Sequence, residues 1–158
     1  MTWSIRVAER RDVAALLAIE ESRFPEPWTR GMLLDELTNT ENRRYTVAVE
    51  GGRIVGYLGV MFVLDELHVN TIGTVALAEG RGIASSLLDE AWRDASTRGI
   101  RRATLEVAVS NERAIALYYR YGFKPVGVRK KYYEKTNEDA LVLWADLPVA
   151  PGEPPTLV

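Results

Sequence analysis

The hydrophobic positions of the chain switch between two periods. Trp3-Ser4-Ile5-Arg6-Val7 alternates at period two and predicts a short first strand. From Asp12 to Arg23 the apolar residues Val13, Leu16, Leu17 and Ile19 recur at helical spacing, the stripe of an amphipathic helix. That helix must stop before Phe24-Pro25-Glu26-Pro27-Trp28, because proline fixes its own φ and disfavours helix at the preceding residue. Thr29 can cap a second helix over Met32, Leu33, Leu34, Glu36 and Leu37. Arg44 to Val49 and Arg53 to Leu64 read as strands joined at Glu50-Gly51-Gly52, a compact hairpin turn. Leu67 to Thr74 follows as a fourth strand, and Gly73 within it marks either a bulge or a close approach to the backbone.

Beyond Gly82 the period returns to helical, with Ile83, Leu87, Leu88, Ala91, Trp92 and Ala95 on one face and Gly99 as the stop. Thr104 to Val109 is a strand that puts Leu105, Val107 and Val109 on one face and Thr104, Glu106 and Ala108 on the other. Ser110-Asn111 caps a helix through Ala114, Ile115, Leu117, Tyr118 and Tyr121, closed by Gly122. Lys124 to Val128 and Ala140 to Leu147 are the last two strands, and the polar run from Arg129 to Asp139 reads as the loop between them. The pattern therefore predicts an α/β (α+β) chain of about seven strands and four helices, one domain over residues 1–148. A proline-rich, disordered tail is expected over 149–158.

Composition narrows the function. At 158 residues the chain is long enough for a full core, and a net charge of −2 argues against a nucleic-acid binder that relies on a general basic surface. No run approaches the ~20 apolar residues of a membrane span. Arg6, Glu9, Arg10, Arg11 and Asp12 interrupt any signal-peptide core, so a cytoplasmic location is expected. With no cysteine and one histidine, His68, an acyl-cysteine intermediate and a histidine-rich metal centre are excluded. No metal is expected. A monomer is favoured over an oligomer.

Five features can carry chemistry, and each has a plainer reading. The fourth strand feeds through Glu79-Gly80-Arg81-Gly82 into a helix start, where unpaired N–H groups at the positive end of the helix dipole suit phosphate; a tight turn explains the glycines equally well. Glu106, in an otherwise apolar strand, is either solvated or ion-paired, or lines a polar cavity. Tyr118 and Tyr121 pack a core unless one is a proton donor, and Phe24 and Trp28 are packing anchors or ligand contacts. His68 reads as a strand residue without partners for catalysis.

Strand, Gly80-Arg81-Gly82, helix, the strand Thr104-Leu105-Glu106-Val107 and an Asn111-capped helix bearing Tyr118 form an order that resembles the GNAT superfamily of acetyl-CoA-dependent N-acetyltransferases. Tyr121-Gly122-Phe123, Arg129 with Tyr132-Tyr133, and Glu138-Asp139-Ala140 extend the likeness, over essentially all of residues 3 to 147, to the RimI family of ribosomal-protein alanine N-acetyltransferases. The resemblance implies one mixed sheet whose parallel strands 4 and 5 splay apart. It implies acetyl-CoA as cosubstrate, its pantetheine arm on Ile72, Gly73 and Thr74, its pyrophosphate on Gly80, Arg81, Gly82, Ile83, Ala84 and Ser85, and a hydrogen bond from Asn111. Glu106 would be the general base and Tyr118 the general acid, with Phe24, Tyr132 and Tyr133 beside the substrate. The implied reaction is direct transfer, in a ternary complex, to the N-terminal alanine of a ribosomal protein.

Amine chemistry favours the same acceptor. An α-amine with pKa near 8 is on the order of a few hundred times richer in its neutral form at pH 7 than a lysine near 10.4. Rival readings are a lysine or small-amine acetyltransferase of the same fold and a catalytically silent coenzyme-A-binding module. Two positions depart from the family pattern. Glu79 stands where Gln or Arg is usual, and Ala76 where proline is common. Glu79 either repels the pyrophosphate or favours the helix N-terminus and points away, and the second reading is preferred.

Overall fold

The computed structural model describes residues 2–147, so the expected tail at 149–158 lies outside the described residues. Seven strands run β1 (Ser4–Val7), β2 (Arg43–Glu50), β3 (Arg53–Val63), β4 (Glu66–Thr74), β5 (Arg102–Ala108), β6 (Lys124–Tyr133) and β7 (Glu138–Asp146). Four helices intervene: α1 (Val13–Arg23), α2 (Arg30–Thr38), α3 (Ile83–Thr97) and α4 (Glu112–Arg120). Hydrogen bonds order the strands β1-β2-β3-β4-β5-β7-β6. The β4/β5 ladder is parallel and runs from Glu66↔Arg102 to His68↔Thr104, while β4 continues to Thr74 and β5 to Ala108. The other ladders, β1/β2, β2/β3, β5/β7 and β6/β7, are antiparallel. This is the seven-stranded mixed sheet that the sequence predicted.

The chain resolves into two compact units, residues up to 62 with 70–90, and residues 63–69 with 91 onward. In the first unit Val13, Leu16, Ile19, Leu33, Leu37, Tyr45, Val47 and Tyr57 form one buried cluster. Leu16, Leu33 and Tyr57 are completely covered, each worth roughly 1.5–3 kcal/mol by area removed from water. The corner between α1 and α2 behaves as its prolines require, and the Thr29 hydroxyl accepts the Met32 N–H at 3.2 Å to cap α2. Trp28 packs against the cluster, which bears out its anchoring role.

In the second unit Trp92 meets Tyr121 and Phe123 at ring separations of 6.0 and 5.8 Å, and Phe123 meets Tyr118 at 5.7 Å. Gly99 (φ +73°) and Gly122 (φ +84°) end their helices in the left-handed conformation. The N–H groups of Ile100 and Phe123 reach back to the carbonyls of Ala95 and Tyr118.

One boundary is corrected. The run expected as a loop from Arg129 to Asp139 is strand as far as Tyr133 and again from Glu138. β6 is the edge of the sheet and nearly all of it is exposed, so neither face is buried and no apolar alternation betrays the strand. Lys124, Arg129, Lys130 and Lys131 instead supply the charge that keeps such an edge from pairing with another chain.

Candidate active site

In the first unit β4 leaves through a single 3-10 turn, Ala76–Ala78, into the glycine loop. Gly80 (φ +76°) and Gly82 (φ +90°) both adopt backbone that L side chains rarely take. The Ser86 N–H donates to the Gly82 carbonyl at 3.0 Å, the first turn of α3. Amides ahead of that bond have no acceptor within a helix, which is what an anion requires. Ile83 is buried, so its side chain belongs to the core and only its backbone faces the loop.

The two charged side chains of this loop are both committed elsewhere. Arg81 donates to the Glu50 carboxylate at 2.9 and 2.5 Å and to Thr2 at 3.0 Å, and its guanidinium lies 5.4 Å from the centre of the Trp3 ring. These bonds pull the Glu50 carboxyl down to about 2. Glu79 forms an ion pair with Arg23 at the end of α1. Its negative charge therefore has a cation of its own.

Ile72, Gly73 and Thr74 end β4. A Cβ on Gly73 would lie 3.0 Å from Ile19 Cγ2, 3.1 Å from Tyr57 Cε1 and 3.7 Å from Phe24 Cε2. The glycine therefore answers to a close approach, and it brings Phe24 to the strand expected to face the cofactor.

The second unit holds the remaining expected residues. Glu106 is half-buried on β5, 30% exposed, with Arg129 Nη1 at 3.6 Å. This is the ion-paired reading that the sequence left open, and the Arg129 side chain is 58% exposed. Asn111 uses Oδ1 to cap α4 through the Ala114 N–H at 3.3 Å, a bond that does not engage its Nδ2. Tyr118, 5% exposed, has its phenol pushed above the ordinary value by burial and, secondarily, by Tyr133. Tyr132 and Tyr133 stand edge to face at 5.1 Å, and Arg129 lies 5.3 Å over the Tyr132 ring. Glu106, Arg129, Tyr132 and Tyr133 thus form a connected series within this unit. His68 stands edge-on to Trp144 at 6.4 Å, a packing role.

Sequence reasoning missed a buried polar cluster. Glu20 Oε1 accepts the Trp28 N–H at 2.8 Å, and Oε2 accepts the Thr71 hydroxyl at 2.7 Å. Glu36 likewise accepts from Tyr45, Asn70 and Arg43. A signal for Glu20 existed: it falls four residues after Leu16 and three after Leu17, on the buried stripe of α1. A cleft of about 770 Å³ beside α1, lined by Arg6, Asp12, Ile19, Val49 and Val75 among others, contains none of the expected site residues. Among the described residues no group of histidines and carboxylates is placed to hold a metal.

The sequence profile of the acetyltransferase (GNAT) family matches residues 13–123. The chain belongs to the GNAT family. It is 34% identical over 149 residues to N-alpha-acetyltransferase RimI of Mycobacterium tuberculosis, covering 90% of this chain and 92% of that one. The crystal structure of the ribosomal-protein-S18-alanine N-acetyltransferase from Escherichia coli superposes with a TM-score of 0.86 at 25% identity, over 96% and 97% of the two chains. The fold is shared as well with Arabidopsis thaliana NAA60 in complex with acetyl-CoA, TM-score 0.84 at 21% identity, over 92% and 99% of the chains. The protein is therefore a RimI-like N-acetyltransferase, and GNAT enzymes use acetyl-CoA.

Proposed function

We propose that the enzyme acetylates the α-amine of a protein N-terminus, an N-terminal alanine of a ribosomal protein, in the cytoplasm. Acetyl-CoA supplies an acetyl group activated as a thioester. The backbone of Gly80 to Ser85 would hold its pyrophosphate, Ile72 to Thr74 its pantetheine arm, and Asn111 Nδ2 would add a hydrogen bond. Phe24, Tyr132 and Tyr133 would line the approach of the peptide.

The observation that carries the reading is that the second unit holds both a half-buried carboxylate, Glu106, and a buried phenol, Tyr118. Glu106 remains exposed enough to pass a proton outward after taking it from the ammonium, directly or through water. Tyr118 is buried and its phenol is raised above the ordinary value near 10, so it carries a proton at neutral pH. The same desolvation that raises a phenol raises the pKa of a thiol, so the departing thiolate is a strong proton acceptor there. Arg129 stays paired with the Glu106 carboxylate until a substrate ammonium takes its place.

The test is kcat/KM for an alanine-initiated peptide. Glu106→Gln should lose roughly 10² to 10⁴ of the rate. Tyr118→Phe should lose a comparable factor. Two variants that both keep wild-type rates would remove the proposed proton-transfer roles.

A further inference from the structure

We infer that Glu20 is a positioning residue for the acceptor, its carboxylate fixing the 24–28 corner that carries Phe24 against the strand that carries Gly73. The inference rests on the reading above that Phe24 meets the peptide and Ile72 to Thr74 the cofactor. Glu20 is 1% exposed, and an aliphatic side chain on the same stripe, such as its neighbours Leu16 and Ile19, would bury without the desolvation that a carboxyl suffers. What the carboxyl adds is direction. Oε1 accepts the backbone N–H of Trp28, beyond both prolines of the corner, at 2.8 Å. Oε2 accepts the Thr71 hydroxyl at 2.7 Å. With its proton committed to Glu20, Thr71 Oγ1 accepts in turn from the Tyr57 hydroxyl at 3.0 Å.

One side chain thus ties α1, the corner, β3 and β4 together. The Tyr57 ring at the far end of this relay is among the atoms that leave no room for a Cβ on Gly73, and Phe24 lies beside the same position. The corner and the strand are therefore in register through hydrogen bonds rather than through shape alone. Burial pushes the Glu20 carboxyl above the usual carboxylate range, opposed by the bonds from Thr71 and Trp28.

The test compares Thr71→Val, Glu20→Ala and Glu20→Gln by peptide kinetics, by calorimetric titration with acetyl-CoA and by amide exchange of Trp28. A displacement near 1 Å costs up to ~10²-fold in a reaction that depends on alignment. Thr71→Val and Glu20→Ala should therefore raise the peptide KM at least ~10-fold while acetyl-CoA affinity stays within ~3-fold. Glu20→Gln should restore the peptide KM to within ~3-fold, because its carbonyl accepts from Trp28 and its amide donates to Thr71, whose proton turns to Tyr57. Unchanged peptide KM in Thr71→Val and Glu20→Ala overturns the inference. So does a parallel loss of acetyl-CoA affinity in all variants, which marks a residue that only holds the fold. Should Glu20→Ala fail to fold, Thr71→Val and Glu20→Gln decide by the same criteria. If the wild-type enzyme transfers to no α-amine, the proposed function falls, and exchange at Trp28 decides this inference alone. Protection lost in Glu20→Ala and kept in Glu20→Gln supports it, and equal protection in both overturns it.

Discussion

Gly73→Ala puts one methyl group where the first unit has no space for it. The added Cβ would meet Ile19 Cγ2 at 3.0 Å and Tyr57 Cε1 at 3.1 Å, so both must yield by a few tenths of an ångström. Neither can do so freely, since Ile19 is packed on α1 and the Tyr57 ring is wholly buried with its hydroxyl bound to Thr71. Overpacking of this kind costs about 1–3 kcal/mol. For a chain of this size that lowers the melting temperature by about 2–12 °C. Gly127→Ala is the control, because nothing lies within 4 Å of a Cβ there, and its melting temperature should not fall. Differential scanning calorimetry of the two variants beside wild type measures the effect. The peptide KM of Gly73→Ala should rise as well, as Phe24 and the strand move apart. A Gly73→Ala melting temperature equal to wild type, with Gly127→Ala equal too, would refute the close approach as the reason for this glycine.

Three further outcomes follow from charges and caps. Because Arg23 neutralises Glu79, Glu79→Gln should leave the acetyl-CoA dissociation constant within a few fold, whereas Arg23→Gln should weaken it; calorimetric titration separates the two. Asn111→Ala removes the cap of α4 and should cost about 1 kcal/mol in urea unfolding without ligand present, apart from any loss in acetyl-CoA binding. Asp12, bonded twice by Arg6 at 2.7 and 2.9 Å, has its pKa lowered chiefly by that guanidinium. A depressed carboxyl contributes stability that is present above its unfolded pKa, near 3.9, and is lost as pH falls through the folded value. The urea midpoint of wild type should therefore drop below about pH 4 more steeply than that of Asp12→Asn.

The sequence made legible whatever repeats locally. The stripe Ile83, Leu87, Leu88, Ala91, Trp92 and Ala95 is buried throughout, and Thr29, Asn111, Gly99 and Gly122 cap or close the helices that their types predicted. Period-two alternation failed at β6, because an edge strand without a buried face has nothing apolar to alternate. The side-chain pairings between distant elements could not be read at all. Arg23 reaches Glu79, Arg129 reaches Glu106 and Glu20 reaches Thr71 across separations that no local period encodes. Two of these pairings bear on residues the sequence singled out, since Glu79 pairs with Arg23 and Glu106 with Arg129. Tyr118 packs against Phe123, the plainer of its two readings, and that burial raises its phenol above the ordinary value.

The central claim is that a free α-amine is the acceptor, and intact-mass analysis of two peptides incubated with enzyme and acetyl-CoA tests it most directly. One peptide begins with a free alanine and lacks lysine; the other is blocked at its N-terminus and carries an internal lysine. A gain of one acetyl group on the first peptide alone is the predicted result. Acetylation of the blocked lysine peptide alone would contradict it, leaving the GNAT fold in place and the acceptor wrong.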